Sequence, residues 1–371
     1  MTSSAQDSYT LYSWQLSYFS GKTRGYLNFK GIPYTDKNIN AFDMTYRIPK
    51  ATGASVMPAI KNNKGEWFQD TTAIVEALEE RHPDFPVVPS TPKQLIASLL
   101  LEAWLDEWWL PVGMHYRWSY PENRVLFMHE ASTGLLPYTP DFIRRRLANK
   151  IANKLHSFAP LIGVREGQLA GMESFTNKML DVFEQHFAQS AFLFGDRPSI
   201  ADFALLGPLY GHLNRDPAPK RDLLDIRPNL QAWVARCHAG EGRDGQFVEN
   251  DEVPETLKPL FTSIFTEFFP LLDGIAKNIG DHVAKNHKKS GDKLPRLVGD
   301  AASTMDGQAF SRGAVPYTLW MMQRVQNIFN ALPDADQDAI KQWLRDYDDR
   351  DLMSKDFGPA LKRTGVTTCL A

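Results

Sequence analysis

The sequence predicts an α+β domain at the N-terminus followed by an all-helical remainder, and three observations carry that expectation. Over residues 9–82, β-branched and aromatic runs alternate with helical spacing in the order β-α-β-(link)-β-β-α, enough for a small domain of its own. From Thr91 onward strand-like alternation gives way to apolar residues at helical spacing. Between the two, Pro83, Pro86 and Pro89 mark residues 83–90 as an interdomain linker.

Taken in order, Tyr9–Trp14 is aromatic and apolar and reads as a short buried strand. A helix from about Ser20 carries Tyr26, Leu27 and Phe29 among polar neighbours and is stopped by Gly31 and Pro33. Tyr34–Asn40 reads as a second strand. Val56–Ile60 and Trp67–Phe68 frame a hairpin turned at Asn63-Lys64-Gly65. Thr71–Arg81 then places Ala73, Ile74, Ala77 and Leu78 at helical spacing and halts before Pro83. Further helices are expected at Thr91–Leu110, Pro140–Phe158, Met172–Gln189, Ser199–His212 and Asn229–Cys237. A second break, rich in glycine and charge, falls at Gly240–Asn250. Past it, Glu255–Leu272, Tyr317–Leu332 and Asp334–Asp346 read as helices, and Lys285–Lys293 as a solvated loop. The expected domains are therefore 8–83, 91–240 and 246–371, the last a helical extension.

Composition narrows the function classes. At 371 residues, 43% hydrophobic and 23% charged, the chain is ordinary for a soluble globular protein of two domains or more. Its 41 Lys plus Arg against 44 Asp plus Glu leave a net charge of -3, so no global basic field invites nucleic acid or an anionic membrane. The two cysteines, Cys237 and Cys369, build neither a disulfide framework nor a metal cluster. The nine histidines include no H-E-x-x-H, and no metal site is expected. Met1–Asp7 has no signal-peptide character, and no stretch nears the roughly 18 apolar residues of a membrane span. The expected setting is soluble, reducing and cytoplasmic.

Three short runs could carry chemistry. If a helix begins at Asp70-Thr71, its unpaired N–H groups suit a ligand carboxylate, and the aspartate suits an ammonium. The bland alternative is a helix cap. Pro58 sits inside an apolar strand-like run, where it removes a ladder donor. A cis bond there would turn the Met57 backbone outward toward a peptide-like ligand, whereas an edge or turn proline is the simpler reading. Ser17 lies between a strand and a helix, where a hydroxyl and the helix dipole both favour a thiolate. Ser20 could do the same or be the N-cap, and Tyr12, Ser13 and Tyr18 are further hydroxyls close by.

Together, Ser17-Tyr-Phe-Ser-Gly-Lys-Thr-Arg24, Val56-Met-Pro58 and Asp70-Thr71 make residues 9–82 resemble the N-terminal domain of cytosolic glutathione transferases. Arg197-Pro-Ser-Ile-Ala-Asp-Phe203 resembles the buried capping motif of that family's helical second domain, with Ser199 as the cap and Asp202 bonding back. Pro228-Asn-Leu-Gln-Ala-Trp233 resembles its closing helix. The resemblance spans about residues 8–240. It implies a two-domain α+β/all-α fold: a thioredoxin-like βαβ-ββα domain that binds glutathione, a helical transferase C-terminal domain, and here a further helical extension. It also implies Ser17 as the thiol-activating residue, Met57, Pro58, Asp70 and Thr71 as glutathione contacts, and a homodimer; Ser20 joins the expected glutathione contacts on its position near the helix start. Serine stands at both positions where glutaredoxins carry redox cysteines, so thiol–disulfide exchange has no nucleophile here. Asp-Thr stands for the usual Glu-Ser and reaches one methylene less far.

A small hydrophobic electrophile is the expected second substrate, against the aromatic run Trp108, Trp109, Met114, His115, Tyr116 and Trp118. Trp109, His115, Tyr116 and Trp118 are the candidate pocket residues; core or subunit interface is the other reading of such a stripe. The expected activity is a glutathione transferase in which the activated thiol attacks that electrophile, with no metal or nucleotide. A non-catalytic binding or scaffold protein of the same fold is the alternative. Gly240-Glu-Gly242-Arg-Asp-Gly245 spells G-x-G-x-x-G but follows a helix and opens none, so it reads as linker. Arg144, Arg145, Arg146, Lys150 and Lys154 read as a solvated basic helix face, with steering of a substrate carboxylate as the alternative.

Overall fold

Strand β1 (Tyr9–Ser13) is the spine of the N-terminal sheet. In the computed structural model, which describes residues 7–371 apart from Leu136 and Asp349, four strands assemble in the order β2-β1-β3-β4. Helix α1 (Tyr18–Lys30) makes the crossover that a parallel β1–β2 (Tyr34–Asn38) pair requires. Strands β3 (Ala59–Asn62) and β4 (Trp67–Gln69) add an antiparallel hairpin. Leu11, Leu27, Phe29, Ile60, Ile74 and Leu78 are wholly buried, the last two on α3 (Thr71–Arg81). This is the thioredoxin-like order the pattern predicts, with two local differences. Helix α1 begins at Tyr18 because Ser17, not Ser20, is its N-cap. Between β2 and β3 the chain coils through Asp43–Arg47 into α2 (Ile48–Thr52), a helical stretch the polar sequence there concealed. Asp43, fully buried, explains it: its carboxylate accepts from Lys37 at 3.0 Å, from Arg47 and from the Asn40 N–H.

Beyond residue 90 the helices are α4 (Pro92–Glu107), α5 (Leu110–Ser119), α6 (Pro121–Leu135), α7 (Asp141–His156), α8 (Leu169–Phe187), α9 (Ile200–Pro208) and α10 (Pro228–Ala239). Helices α5 and α6 occupy a stretch with no expected helix beyond Leu110. Pro111 and Pro121 look like breakers, yet each falls in a first turn, where proline has no bond to lose. The extension contributes α11 (Lys258–Ser263), α12 (Phe269–Lys285), α13 (Pro316–Asn330) and α14 (Asp334–Leu344). It also holds two antiparallel hairpins, β5 (Asp300–Met305) with β6 (Gln308–Gly313) and β7 (Leu361–Thr364) with β8 (Thr367–Leu370). Strand alternation was expected to end before this point. The β5–β6 turn carries a legible signal all the same: Asp306 and Gly307 both have positive φ, +49° and +73°, the requirement of a two-residue primed turn.

The chain divides into two compact units. One comprises everything up to Val87 with Tyr116–Ser157 and Asp202–Asp244; the other comprises Val88–His115, Phe158–Ala201 and Gly245–Ala371. In the second unit the extension shares its core with α4 and α8. The Trp108 ring packs on Phe175, Phe268 and Phe310. Buried Arg312 donates to the Glu107 carbonyl and, at 2.7 Å, to Thr318 Oγ1, while Arg324 meets buried Glu102 at 3.0 Å.

Candidate functional site

The sheet register brings three chain segments of the first unit to one place. Tyr12 of β1 pairs with Ala59 of β3, and Ala59 pairs with Gln69 of β4. The end of β1, the start of β3 and the end of β4 therefore sit side by side, roughly 5 Å apart per strand. Four residues past β1 stands Ser17, immediately before β3 stands Pro58, and immediately after β4 stands Asp70. The N-termini of α1 and α3 open at this same end of the sheet, and both favour negative charge.

Ser17 is half-buried, and its Oγ accepts the Ser20 N–H at 3.3 Å. Accepting that bond leaves the hydroxyl proton to point elsewhere. The other hydroxyls are less accessible. Ser20 is 0% exposed, Ser13 1%, Tyr18 4% and Tyr12 7%. Ser13 is further committed, donating to Asp36 at 2.5 Å and accepting from Arg24 at 2.8 Å. The Ser20 Oγ is buried without a hydrogen-bond partner among the described residues.

The loop that carries Ser17 is clamped by a buried cation. Arg117 donates Nη1 to the Leu16 carbonyl at 3.0 Å, Nη2 to the Gly211 carbonyl at 2.8 Å and Nε to Asp216 at 2.5 Å. Burial pushes the Asp216 carboxyl up and the Arg117 guanidinium down, and each charge opposes the other's shift. Gly211 closes the clamp: a Cβ there would lie 2.9 Å from the Ser17 carbonyl oxygen and 3.1 Å from the Tyr18 Cα. Neither Arg117 nor Asp216 was foreseen as part of a site. The available signal was an arginine inside an aromatic helical run, which must find a partner if that run is core.

The Met57–Pro58 bond is cis, with Pro58 buried and Met57 half-buried. Asp70 takes φ +83°, a left-handed value rare outside glycine and concentrated at functional sites. Its carboxylate caps α3, Oδ1 accepting the Thr72 N–H at 3.1 Å and the Ala73 N–H at 3.4 Å. Thr71, at the first helical position, is 7% exposed.

The aromatic run is different. Trp109 is 0% exposed and packs on Phe175 and Phe183; His115 is 1% exposed, its Nε2 3.0 Å from Glu173. Burial lowers the His115 pKa, with Glu173 opposing. Tyr116, 4% exposed, stacks on Tyr120, and Trp118, 8% exposed, lies against Phe127 and His156. The expected pocket is corrected accordingly: these four side chains are core, the ordinary fate of large apolar residues at helical spacing.

The remaining motifs hold structure. Asp202 is fully buried and accepts from Trp233 Nε1 at 3.2 Å; Ser199, also 0% exposed, immediately precedes α9. Gly240, at φ +79°, ends α10 so close to α1 that a Cβ would stand 2.4 Å from the Asn28 carbonyl carbon. Arg243 then donates to the Asn28 carbonyl at 2.7 Å and to that of Phe29. Gly240 and Gly245 of G-x-G-x-x-G thus serve backbone approach, a Cβ at Gly245 standing 2.0 Å from the Asp196 carbonyl oxygen, while Gly242 takes φ +91°. Among the described residues no group of three or more His, Cys, Asp or Glu is placed to hold a metal ion.

Comparison with known proteins agrees with the order of these parts. Residues 11–86 match the glutathione S-transferase N-terminal domain and residues 164–241 its C-terminal domain. Glutathione S-transferase F14 of Arabidopsis thaliana is 25% identical over 178 residues, 46% of this chain and 66% of that protein, so the chain spans just under two thirds of that relative's length. A glutathione S-transferase structure from Rhodospirillum rubrum F11 is 16% identical, covering 67% of this chain and 96% of its own, with a TM-score of 0.39. One from Methylobacterium radiotolerans JCM 2831, in complex with glutathione sulfonate, is 20% identical, covering 64% and 93%, with a TM-score of 0.37. Neither likeness bears on the site. The two matches, in sequence order and with the first on a thioredoxin-like sheet, make the chain similar to the glutathione S-transferases over residues 11–86 and 164–241, with an extension beyond residue 241 that neither domain match includes.

Proposed function

We propose that this chain binds glutathione at the Ser17–Pro58–Asp70 end of the sheet and activates its thiol for attack on a small hydrophobic electrophile. The observation that carries the reading is the register that sets two helix N-termini, a cis-proline and a partly exposed serine side by side. Asp70 faces the γ-glutamyl ammonium. Because its Oδ1 already caps Thr72 and Ala73, the Thr71 N–H and hydroxyl serve the neighbouring carboxylate. The Met57 main chain pairs with the cysteinyl residue, and Ser17 donates its hydroxyl proton to the sulfur.

Lowering the thiol pKa by two units needs about 2.7 kcal/mol. One hydroxyl donor to a charged acceptor supplies about 1.5–3 kcal/mol, and a helix N-terminus adds about 0.3–1 kcal/mol. The thiolate then forms a carbon–sulfur bond as the leaving group departs with its electron pair, the thiol proton having gone to solvent. Turnover of an electrophile panel with glutathione, by the wild type and Ser17→Ala, tests this. Turnover that falls in the variant upholds the reading; wild type without turnover gives way to the second one. That second reading is a non-catalytic binding protein of the same fold. The burial of Trp109, His115, Tyr116 and Trp118, which offers an electrophile no surface, favours it. A homodimer is part of the proposal in either case.

A further inference from the structure

The hairpin of α6 and α7 plays no part in the site just described, and it carries exposed apolar side chains of its own. Between the helices Tyr138 is 100% exposed; at the start of α7 Phe142 is 75% exposed and Ile143 43%. Farther along α7, Ile143, Arg146, Leu147 and Lys150 border an open groove with Asn149 and Asn153. At about 100° per residue, Ile143, Arg146, Leu147, Lys150 and Lys154 fall on one stripe of the helix, opposite buried Ala148 and Ala152.

The charges on that stripe are unanswered. Arg144 and Arg145 lie 3.0 and 3.7 Å from Asp141, the one acidic residue of α7. Among the described residues no carboxylate pairs with Arg146, Lys150 or Lys154, and all three are exposed. On a chain of net charge -3, this helix is a local concentration of positive charge.

Exposed rings at one end and unpaired cations along one face are the two ingredients of an interfacial lipid-binding segment. The rings enter the headgroup layer and the cations meet lipid phosphates. We propose that the α6–α7 hairpin docks this protein on an anionic lipid surface, peripherally, through Tyr138, Phe142 and Ile143 at the tip and Arg146, Lys150 and Lys154 behind it. An acidic partner protein would satisfy the cations but gives no account of a fully exposed tyrosine and a largely exposed phenylalanine beside them. The docking is independent of the glutathione reading.

The test is co-sedimentation of the full chain with vesicles of phosphatidylcholine, alone or with about one third phosphatidylglycerol, at low and raised salt. Binding to the phosphatidylglycerol vesicles, absent with phosphatidylcholine alone and weakened by salt, is expected. Arg146→Glu with Lys150→Glu lowers the partition coefficient about thirtyfold or more, taking the usual contribution of each cation near such a surface. Phe142→Ala lowers it several-fold and leaves the salt dependence unchanged. All three positions are exposed, so circular dichroism identical to wild type shows the variants folded. Three results overturn the proposal: no binding to phosphatidylglycerol vesicles at low salt, equal binding to both vesicle types, or undiminished binding by the folded double variant. Binding of polyglutamate with no binding to vesicles would assign the face to an acidic polypeptide and equally reject the lipid.

Discussion

Replacing Ser17 by alanine removes a hydroxyl that plays two parts, and the two are separable in magnitude and in readout. As the N-cap of α1, Ser17 accepts a single long bond from Ser20, 3.3 Å, so the stability lost should be near 1 kcal/mol. As donor to the glutathione sulfur it makes a charge-assisted bond of about 1.5–3 kcal/mol. At 1.36 kcal/mol per unit, its loss raises the bound thiol pKa by about 1–2 units. Below that pKa each unit lowers the thiolate fraction tenfold. Turnover per bound glutathione should therefore drop about 10–100-fold at neutral pH and recover in alkali. The assay is the ultraviolet absorbance of the bound thiolate as a function of pH, run beside the pH profile of kcat/KM. Ser17→Thr, which keeps both the cap and the donor, should return the midpoint close to wild type. An unchanged thiolate midpoint in Ser17→Ala, with only the melting temperature lowered, would refute the assignment and leave Ser17 as a cap.

Two other perturbations probe the surroundings of the site. Arg117→Met strands the buried Asp216 carboxylate and releases the Leu16 and Gly211 carbonyls, so chemical denaturation should show a loss of about 3–5 kcal/mol. Adding Asp216→Leu should restore part of it, and a loss below about 1 kcal/mol in the single variant would contradict the clamp. His238 is held down to about 4, chiefly by burial and then by the Arg24 and Arg215 charges. The unfolded chain takes up this proton first, so stability should fall as pH drops from about 6.5 toward 4. Denaturation midpoints across that window should flatten in His238→Gln, and an identical slope in both proteins would contradict it.

What could be read from the sequence was whatever announced itself locally. Helix α3 spans Thr71–Arg81 as predicted because a capping aspartate opens it and Pro83 follows it. The cis bond at Pro58 and the nearness of Ser17 and Asp70 followed from a motif whose spacing reflects the sheet register. Other features depend on distant partners. Arg117 and Asp216 lie far apart in sequence and look like ordinary surface charges until burial pairs them. Phe42 and Tyr46, exposed at 54% and 52%, belong to a helical stretch whose cause is the buried Asp43, a residue the polar neighbourhood disguised. The aromatic run misled because amphipathic spacing marks a buried face without saying whether a ligand or another helix covers it. In the extension the strands are short and polar, and Asp306-Gly307 was the single strong cue to the first hairpin.

The most direct test of glutathione binding at this end of the sheet is calorimetric titration of glutathione into the wild type, Asp70→Asn and Asp70→Ala. Asparagine caps a helix as well as aspartate does and tolerates unusual backbone, so Asp70→Asn should melt with the wild type while Asp70→Ala loses about 1 kcal/mol. The wild type should bind in the micromolar to millimolar range, and both variants at least about tenfold more weakly, since each removes the charge that meets the ammonium. Wild type that releases no heat on titration, or Asp70→Asn that binds as tightly as wild type, would contradict the account.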